Sequence, residues 1–296
     1  MPPRDTRPAA SEPARAAVAD ASTDITVRPL TTLAELKACV ALQEDVWGTQ
    51  YGDAVPASLL HVVSHVGGIV AGAFAPDGEL IGFVFGLAGI KNGELVHWSH
   101  ALGVRESARN AGVGRMLKQY QRAELARHGI ATMYWTFDPL MAKNAHLNLN
   151  RLGARVVDYV ENMYGTTGSP LHHGLATDRL VVCWSTAAES ELPVSAARTI
   201  VAGIDHYPVL TIEPRPDDVA GDLASLSRDD GPPVILVEVP PDLQRVTPAR
   251  MAAWHAALRA SFQGALRAGY AVTGLFRDAL ASRSFYVFER AQGTPP

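Results

Sequence analysis

The stretch ALGVRESARNAGVGRMLK, residues 101 to 118, joins a strand-like run to an amphipathic helix through a basic turn that contains two glycines. The strand pattern ends near Val104, and helical spacing begins near Val113. Backbone N–H groups at the start of a helix have no partner within the helix and lie at the positive end of its dipole. Gly112 and Gly114 have no Cβ atom that would keep an anion away from these groups. The stretch therefore predicts a phosphate site directly after a strand.

Two other phosphate-binding motifs do not fit this turn. A Walker-type loop ends in Lys-Ser or Lys-Thr, and neither pair follows the glycines here. A Rossmann fingerprint needs a third glycine, which is missing, although Asp138 does end the next strand-like run. A third alternative is an ordinary helix start with a flexible glycine entry. The order of the surrounding elements favours the phosphate site over that alternative.

Hydrophobic periodicity around the turn predicts a regular series of elements. Strands are expected at residues 25–29, 69–74, 80–86, 94–104, 131–137 and 154–160, and helices at 32–47, 57–65, 114–128 and 143–152. Asp77-Gly78 between the second and third strands is a hairpin signal. Thr32 is placed to cap the first helix. The expected apolar face of that helix consists of Leu33, Leu36, Val40 and Trp47.

The pattern Arg-x-x-Gly-x-Gly after a strand, at residues 109 to 114, resembles the coenzyme A pyrophosphate loop of the GNAT superfamily of N-acyltransferases. The run NAHLNLNRLGA, residues 144 to 154, resembles the helix that follows strand five in that family. The segments TFDPL and TDRLVVCW are similar to a larger branch of the superfamily. The resemblance covers residues 25 to 184, about half of the chain. It implies an α/β (α+β) fold with a mixed, mostly antiparallel central sheet.

This resemblance divides the chain into three parts. Residues 1–24 are rich in Pro, Ala and charge, and we expect a disordered tail there. Residues 25–186 are the expected GNAT domain, and residues 187–296 are an expected C-terminal α/β extension.

The resemblance also implies an acyl-CoA co-substrate, most simply acetyl-CoA, and no metal. The pyrophosphate is expected on the main-chain amides of Arg109, Asn110, Ala111, Gly112, Val113, Gly114 and Arg115. Main-chain groups of Leu102, Gly103 and Val104 are expected to pair with the pantetheine arm, which Asn144 or Asn148 is also expected to hold.

The proton donor is where the chain departs from the family. Many members carry a tyrosine about four residues before the glycine that ends this helix, and here that position is Leu149. His146, Tyr159 and Tyr164 remain as candidates for the acid, as does a thiolate that leaves without a fixed acid.

His100 is the candidate for the base. Some family members have a glutamate on strand four at the position of Trp98, and His100 lies two residues further, on the same strand face. A histidine accepts a proton near neutral pH, although a hydrogen-bonded structural histidine is an equal alternative. His97 and His100 are three residues apart and should face opposite ways, which argues against a metal pair.

The C-terminal extension shows a βαββ pattern. A strand at residues 234–239 precedes a helix that opens at Thr247-Pro248, and strands at 271–276 and 284–289 follow. One further strand is expected at 207–212. The helix has a core-facing stripe of Met251, Trp254, Leu258, Phe262 and Leu266. No second phosphate loop occurs in the extension, which leaves it to cover the substrate cleft, form a homodimer interface or extend the sheet.

Composition limits the function classes. The net charge of −4 argues against a nucleic-acid surface, and no run approaches the ~20 apolar residues of a membrane span. Cys39 and Cys183 have no metal spacing, and the N-terminal region lacks an apolar targeting core, so we expect a cytoplasmic protein.

The function that the resemblance implies is acyl transfer, and we expect the acceptor to be the amine of a small molecule. The alternatives are a succinyl-CoA-dependent amino-acid N-acyltransferase and a non-catalytic acyl-CoA-binding or regulatory protein.

Overall fold

The computed structural model describes residues 24–48, 54–165, 174–187, 209–210, 231–278 and 282–290. Most of the expected tail, and most of residues 188–230 in the first part of the expected extension, lie outside these ranges. Of the strand expected at 207–212, only β8 (Val209–Leu210) lies within them. No helix in the described ranges is long and apolar enough to cross a membrane.

The first sheet has seven strands in the order β1-β2-β3-β4-β5-β7-β6. Its strands are β1 (Thr26–Pro29), β2 (Ile69–Phe74), β3 (Leu80–Lys91), β4 (Glu94–Val104), β5 (Thr132–Phe137), β6 (Arg155–Val160) and β7 (Arg179–Ser185). Neighbouring strands are antiparallel except for the parallel pair β4 and β5. The predicted mixed, mostly antiparallel sheet is confirmed. β7 completes it by inserting between β5 and β6.

Helices cover both faces of this sheet. They are α1 (Leu33–Trp47), α2 (Ala57–His65), α3 (Val113–Arg127) and the short α4 (Ala142–Ala145), which continues as a π-helical segment (His146–Arg151). Side chains of α1 and α2 pack in one core cluster with Phe83 and Phe85 of β3. Side chains of α3, α4 and the π-helical segment pack in a second cluster with Met133 and Trp135 of β5.

The start of α1 confirms one sequence prediction and corrects another. Thr32 Oγ1 accepts a hydrogen bond from the Glu35 amide, and Glu35 Oε2 accepts one from the Thr32 amide, which is a complete capping box. The predicted apolar face was wrong at Leu33, which is 61% exposed, and right at Leu36, Val40 and Trp47, which lie in or against the core cluster. The helix also buries Cys39 and Leu42, which share one face with Leu36 at a spacing of three residues.

The second sheet has four strands in the order β10-β11-β9-β8. These are β8, β9 (Val234–Val239), β10 (Tyr270–Asp278) and β11 (Arg283–Arg290), and α5 (Pro248–Arg267) packs against them. The last strand, β11, lies between β10 and β9. Thr247 precedes α5 as expected, but its side chain makes no capping hydrogen bond. The second sheet is separate, so the expectation that the extension could continue the first sheet was wrong.

The two sheets share one hydrophobic core. Phe262 of α5 stacks on Tyr159 of β6, with 5.4 Å between ring centroids, and meets Tyr286 of β11 edge-on at 5.0 Å. Arg259 of α5 donates two hydrogen bonds to the buried Asp178, of 2.8 and 2.5 Å. The core cluster of α3 and β5 continues through these rings into the second sheet. The C-terminal elements are therefore docked on the first sheet through apolar and polar contacts.

Candidate active site

A fixed turn connects β4 to α3. Arg105, the first residue after β4, pairs through Nη1 with Asp45 Oδ2 at 2.9 Å and through Nε with Glu79 Oε1 at 3.2 Å. A single 3₁₀ turn (Glu106–Ala108) follows, and α3 begins at Val113. The ion pairs of Arg105 tie the entrance of the turn to α1 and to the β2–β3 hairpin.

Gly112 is the N-cap of α3 and has a left-handed backbone, with φ of 80°. No side chain caps this helix start, so the amides of the first turn face outward without a side-chain acceptor. A Cβ atom on Gly112 would meet no heavy atom within 4 Å. The glycine is therefore favoured by its backbone conformation, and the space around a side chain at this position is open.

The structure brings the seven predicted loop residues together around this helix start. Arg109, Asn110, Ala111, Gly112 and Arg115 are exposed, and Gly114 is half-buried. A Cβ atom on Gly114 would lie 3.6 Å from Leu102 Cδ2, which is an ordinary contact. The side chain of Val113 is buried in the core, so only its amide is available to a ligand.

β4 and β5 pair over a short distance and then part. Only His97 with Met133 and Trp98 with Tyr134 are in register. Beyond Trp98, residues of β4 that include Leu102, Gly103 and Val104 pair with β3 on one edge and, among the strands that the structure describes, with none on the other. This leaves main-chain groups open along the gap, directly before the turn that leads into α3.

A β-bulge on β4 lies at the same point. Gly86 of β3 pairs with Ser99 and Phe85 pairs with Ala101, so His100 is the extra residue. The exposed His100 ring meets Phe85 edge-on at 5.7 Å, on the α1 and α2 side of the sheet. A bulge redirects a side chain and interrupts pairing, and both effects occur here.

His97 lies on the opposite face. Its Nε2 is 2.9 Å from Gln121 Nε2 of α3, and its ring is fully buried. Burial, with smaller contributions from Lys118 and His128, lowers the pKa of His97 from 6.5 to about 4. The prediction that His97 and His100 face opposite ways is confirmed. No group of three His, Cys, Asp or Glu side chains suited to a metal occurs in the described part of the chain.

The π-helical segment lies beside the start of α3. Leu147 Cδ2 would be 3.9 Å from a Cβ atom on Gly114. His146 is half-buried, and no hydrogen-bond partner for its buried Nδ1 occurs among the described residues. Burial lowers its pKa, and the charges of Arg277 and Arg151 act in the same direction. His146 therefore stays a candidate for the acid on a segment that contacts the start of α3 through Leu147.

The two candidate asparagines differ in their surroundings. Asn144 is exposed at α4. Asn148 is buried, and its Oδ1 accepts a hydrogen bond of 3.1 Å from Trp135 Nε1. This bond uses one of the two lone pairs of Asn148 Oδ1, and the amide nitrogen of Asn148 is the candidate donor to a pantetheine arm.

The two candidate tyrosines lie away from the loop. The Tyr159 hydroxyl donates a 2.5 Å hydrogen bond to Asp178 beneath α5, and burial together with Asp178 raises its pKa. Tyr164 is exposed, with its hydroxyl 3.2 Å from Thr136 Oγ1. The Tyr159 environment does not favour proton donation, whereas Thr136 lies on β5 beyond its pairing with β4, so Tyr164 stays a candidate at the gap.

Sequence reasoning missed a buried lysine at this gap. Lys118 Nζ donates a 2.7 Å hydrogen bond to Ser99 Oγ and lies 4.0 Å from the centroid of the Trp135 ring. The available signal was helical spacing, because Lys118, Gln121 and Leu125 fall on one face of α3 and all three are buried.

No protein-family model and no curated protein match the chain. Solved acetyltransferase structures are similar to about half of it. An aminoglycoside 6′-acetyltransferase type Ii is 20% identical, covering 55% of this chain and 99% of its own, with a TM-score of 0.44. The ribosomal-protein-S18-alanine N-acetyltransferase from Escherichia coli is 17% identical, covering 56% of this chain and 97% of its own, with a TM-score of 0.43. An aminoglycoside 6′-N-acetyltransferase in complex with coenzyme A is 18% identical, covering 56% and 99%, with a TM-score of 0.41.

The fold of the first domain is assigned from the architecture of the chain itself. The resemblance implies a mixed, mostly antiparallel sheet and a glycine-containing turn that leads from strand four into the next helix. Each feature is observed, in β4, β5 and α3. The region from Thr26 to Ser185 therefore has the GNAT acyltransferase fold.

Proposed function

We propose that the protein transfers a short acyl group, most simply acetyl, from acyl-CoA to the amine of a small molecule. One observation carries the proposal: β4 runs along its gap with β5 and then leads, through the turn, to the uncapped start of α3. Amides at a helix start bind phosphate, and open main-chain groups along β4 match the amides of a pantetheine arm. In this arrangement, a site for the pyrophosphate at the start of α3 follows a site for the thioester in the gap between β4 and β5.

In this proposal, the amine attacks the thioester carbonyl while both substrates are held together, which supplies much of the rate. A main-chain N–H near the bulge stabilises the oxyanion. His100, exposed at the bulge, accepts the proton that the amine loses. The acceptor is proposed to be a small molecule, because the sequence has no acidic or basic run that would indicate a peptide groove.

Substitution of Gly112 by Asp tests the loop. The change places a Cβ atom and a carboxylate in the open space before the α3 amides. Calorimetry with coenzyme A should show affinity at least about tenfold lower, equivalent to about 1.4 kcal/mol. Gly78→Asp is the matched control, since Gly78 also has a positive φ, of 86°, and open space around it. Equal affinity of both folded variants would remove the phosphate site from α3.

A second candidate is a non-catalytic acyl-CoA-binding protein. Leu149, which stands where many family members have a tyrosine, favours it. Release of free thiol from acetyl-CoA and from succinyl-CoA, measured against a panel of amines, separates the candidates. Amine-dependent thiol release identifies an enzyme and its preferred donor. Tight coenzyme A binding without release for any pair identifies a binder.

A further inference from the structure

Three buried side chains, Ser99, Lys118 and Trp135, meet where β4 and β5 part. Ser99 directly follows Trp98, the last residue of β4 that pairs with β5. Trp135 directly follows Tyr134, the partner of Trp98. Lys118 reaches from α3 to both, with Nζ 2.7 Å from Ser99 Oγ and 4.0 Å from the Trp135 ring centroid. An amine therefore occupies the closed end of the gap.

Lys118 is a costly residue in this position. It is 5% exposed, and no carboxylate forms an ion pair with it among the residues that the structure describes. Burial lowers its pKa well below the ordinary lysine value. A buried ammonium without a carboxylate destabilises a fold, and an apolar side chain of similar length would be more favourable. Perturbed groups of this kind are frequent at functional sites.

The π-helical segment, which contacts Trp135, also contains the position at which many family members have a tyrosine. Leu149, in the tyrosine position, is buried beside Asn148, and Asn148 accepts the hydrogen bond of the Trp135 indole. Lys118 lies over that indole ring. Lys118 from α3 and Asn148 from the π-helical segment thus contact the same indole.

We propose that Ser99 donates the proton to the leaving sulfur and that Lys118 supplies Ser99 with its replacement. This inference rests on the proposed acyl transfer. As the C–N bond forms, the C–S bond breaks and its electron pair goes to sulfur. Sulfur takes the Ser99 hydroxyl proton, and Ser99 takes a proton from the Lys118 ammonium. After the products leave, neutral Lys118 regains a proton from water, and the proton lost by the amine leaves through the opposite face.

A binding experiment tests the donor without turnover. The thiol of bound coenzyme A is titrated by its thiolate absorbance in the wild type, in Lys118→Met and Ser99→Ala, and in the control Lys37→Met. Lys37 is exposed on α1. The bound thiol should lose its proton at a lower pH in the wild type and in Lys37→Met than in the other two variants. The same titration in all four proteins would overturn the inference.

Turnover gives an independent readout. Lys118→Met should lower kcat at least tenfold and leave KM for acetyl-CoA within about twofold, since proton donation is typically worth about 10² to 10⁴. The alkaline decrease of kcat, expected as Lys118 loses its proton, should be absent from the variant. Lys118→Arg keeps the hydrogen bond but holds its proton too tightly, so it should remain as slow as Lys118→Met.

Stability and binding separate the possible outcomes. The melting temperature of Lys118→Met should equal or exceed that of the wild type, because an uncompensated buried amine is removed. If Lys118→Met does not fold, the thiol titration and the turnover measurement are both made with Ser99→Ala. A folded variant with wild-type kcat overturns the inference. A wild type that binds coenzyme A but releases no thiol overturns the proposed enzyme together with this inference, whereas an active wild type whose thiol titration matches that of the variants overturns the inference alone.

Discussion

At the scale of single residues, His97 links the active-site strand to the stability of the fold. Its imidazole is fully buried and touches Gln121, and its pKa is lowered from 6.5 to about 4. The unfolded chain therefore binds a proton more readily than the folded protein between these values. The stabilisation is complete above pH 6.5 and is lost as the pH falls toward 4.

His97→Gln tests this dependence. The wild type should lose about 3 kcal/mol of unfolding free energy between pH 7 and pH 4 through this group, and the variant should lose less. Urea unfolding at several pH values measures the difference. His61→Gln, at an exposed histidine of α2, is the control and should follow the wild type. Parallel curves for His97→Gln and the wild type would contradict the assignment.

His100→Gln tests the proposed base. Turnover should fall by about 10² or more, with little change in affinity for coenzyme A, because the imidazole no longer accepts the proton of the amine. The variant should also lose one limb of the pH–rate profile of the wild type. Steady-state kinetics and calorimetry measure the two quantities. Wild-type turnover would leave His100 with the structural role of filling the bulge beside Phe85.

Some residues of the candidate site could be predicted from the sequence, and others could not. Gly112 and Gly114 could be assigned because a glycine pair at a strand-to-helix turn has few structural uses. Lys118 could not, since its charge suggests a solvated position and only tertiary packing buries it. The contact of Asn148 with Trp135 joins an element to a strand earlier in the sequence, and no local pattern indicates such a pairing.

At the scale of elements, the π-helical segment connects the active site to the second sheet. β10 lies at the edge of that sheet, so its outer main-chain groups have no strand partner. The Asn150 side chain supplies one: its amide nitrogen donates to the Leu275 carbonyl at 2.6 Å, and its oxygen accepts from the Leu275 amide at 3.0 Å. One side chain thereby takes the place of a neighbouring strand.

Asn150→Ala should remove both hydrogen bonds and leave two main-chain groups of β10 unpaired. We expect a loss of about 1 to 3 kcal/mol in unfolding free energy. Chemical denaturation provides the measurement. Asn144→Ala, at an exposed asparagine nearby, should change stability by less than about 0.5 kcal/mol. If both substitutions had the same small effect, the contact would contribute nothing to docking.

Periodicity predicted most elements, and it failed where long-range pairing decides. The strands at 69–74 and 94–104 have the predicted bounds. β3 continues to Lys91, five residues beyond its predicted end, because β4 pairs with it over that length. The apolar face of α1 was assigned to Leu33, which is exposed, because docking on Phe83 and Phe85 sets the rotation of the helix.

At the scale of the whole molecule, the two sheets form one hydrophobic body. Phe262 contacts rings of both, and Tyr286 of β11 donates a hydrogen bond to the Pro139 carbonyl after β5, at 2.8 Å. We therefore expect a single unfolding transition for the full chain.

A fragment of residues 24–187 should expose the surface that α5 and β11 cover. It should melt at a lower temperature than the full chain, bind a hydrophobic dye and aggregate, since the shared core is left open. Calorimetry and dye fluorescence measure this. Phe262→Ala in the full chain should cost about 3 to 5 kcal/mol while keeping one transition. A fragment with the full-length melting point and kinetics would make the extension an independent appendage.

The position of β11 has a consequence for synthesis of the protein. The chain places its last described strand in the middle of the second sheet, so β9 and β10 receive their common neighbour only after Arg290 has been added. Until then both carry open edges, and the cavity for Phe285, Tyr286 and Phe288 is unfilled. A nascent chain, or one that ends before β11, thus exposes unpaired strand edges and apolar surface, which chaperones and proteases recognise.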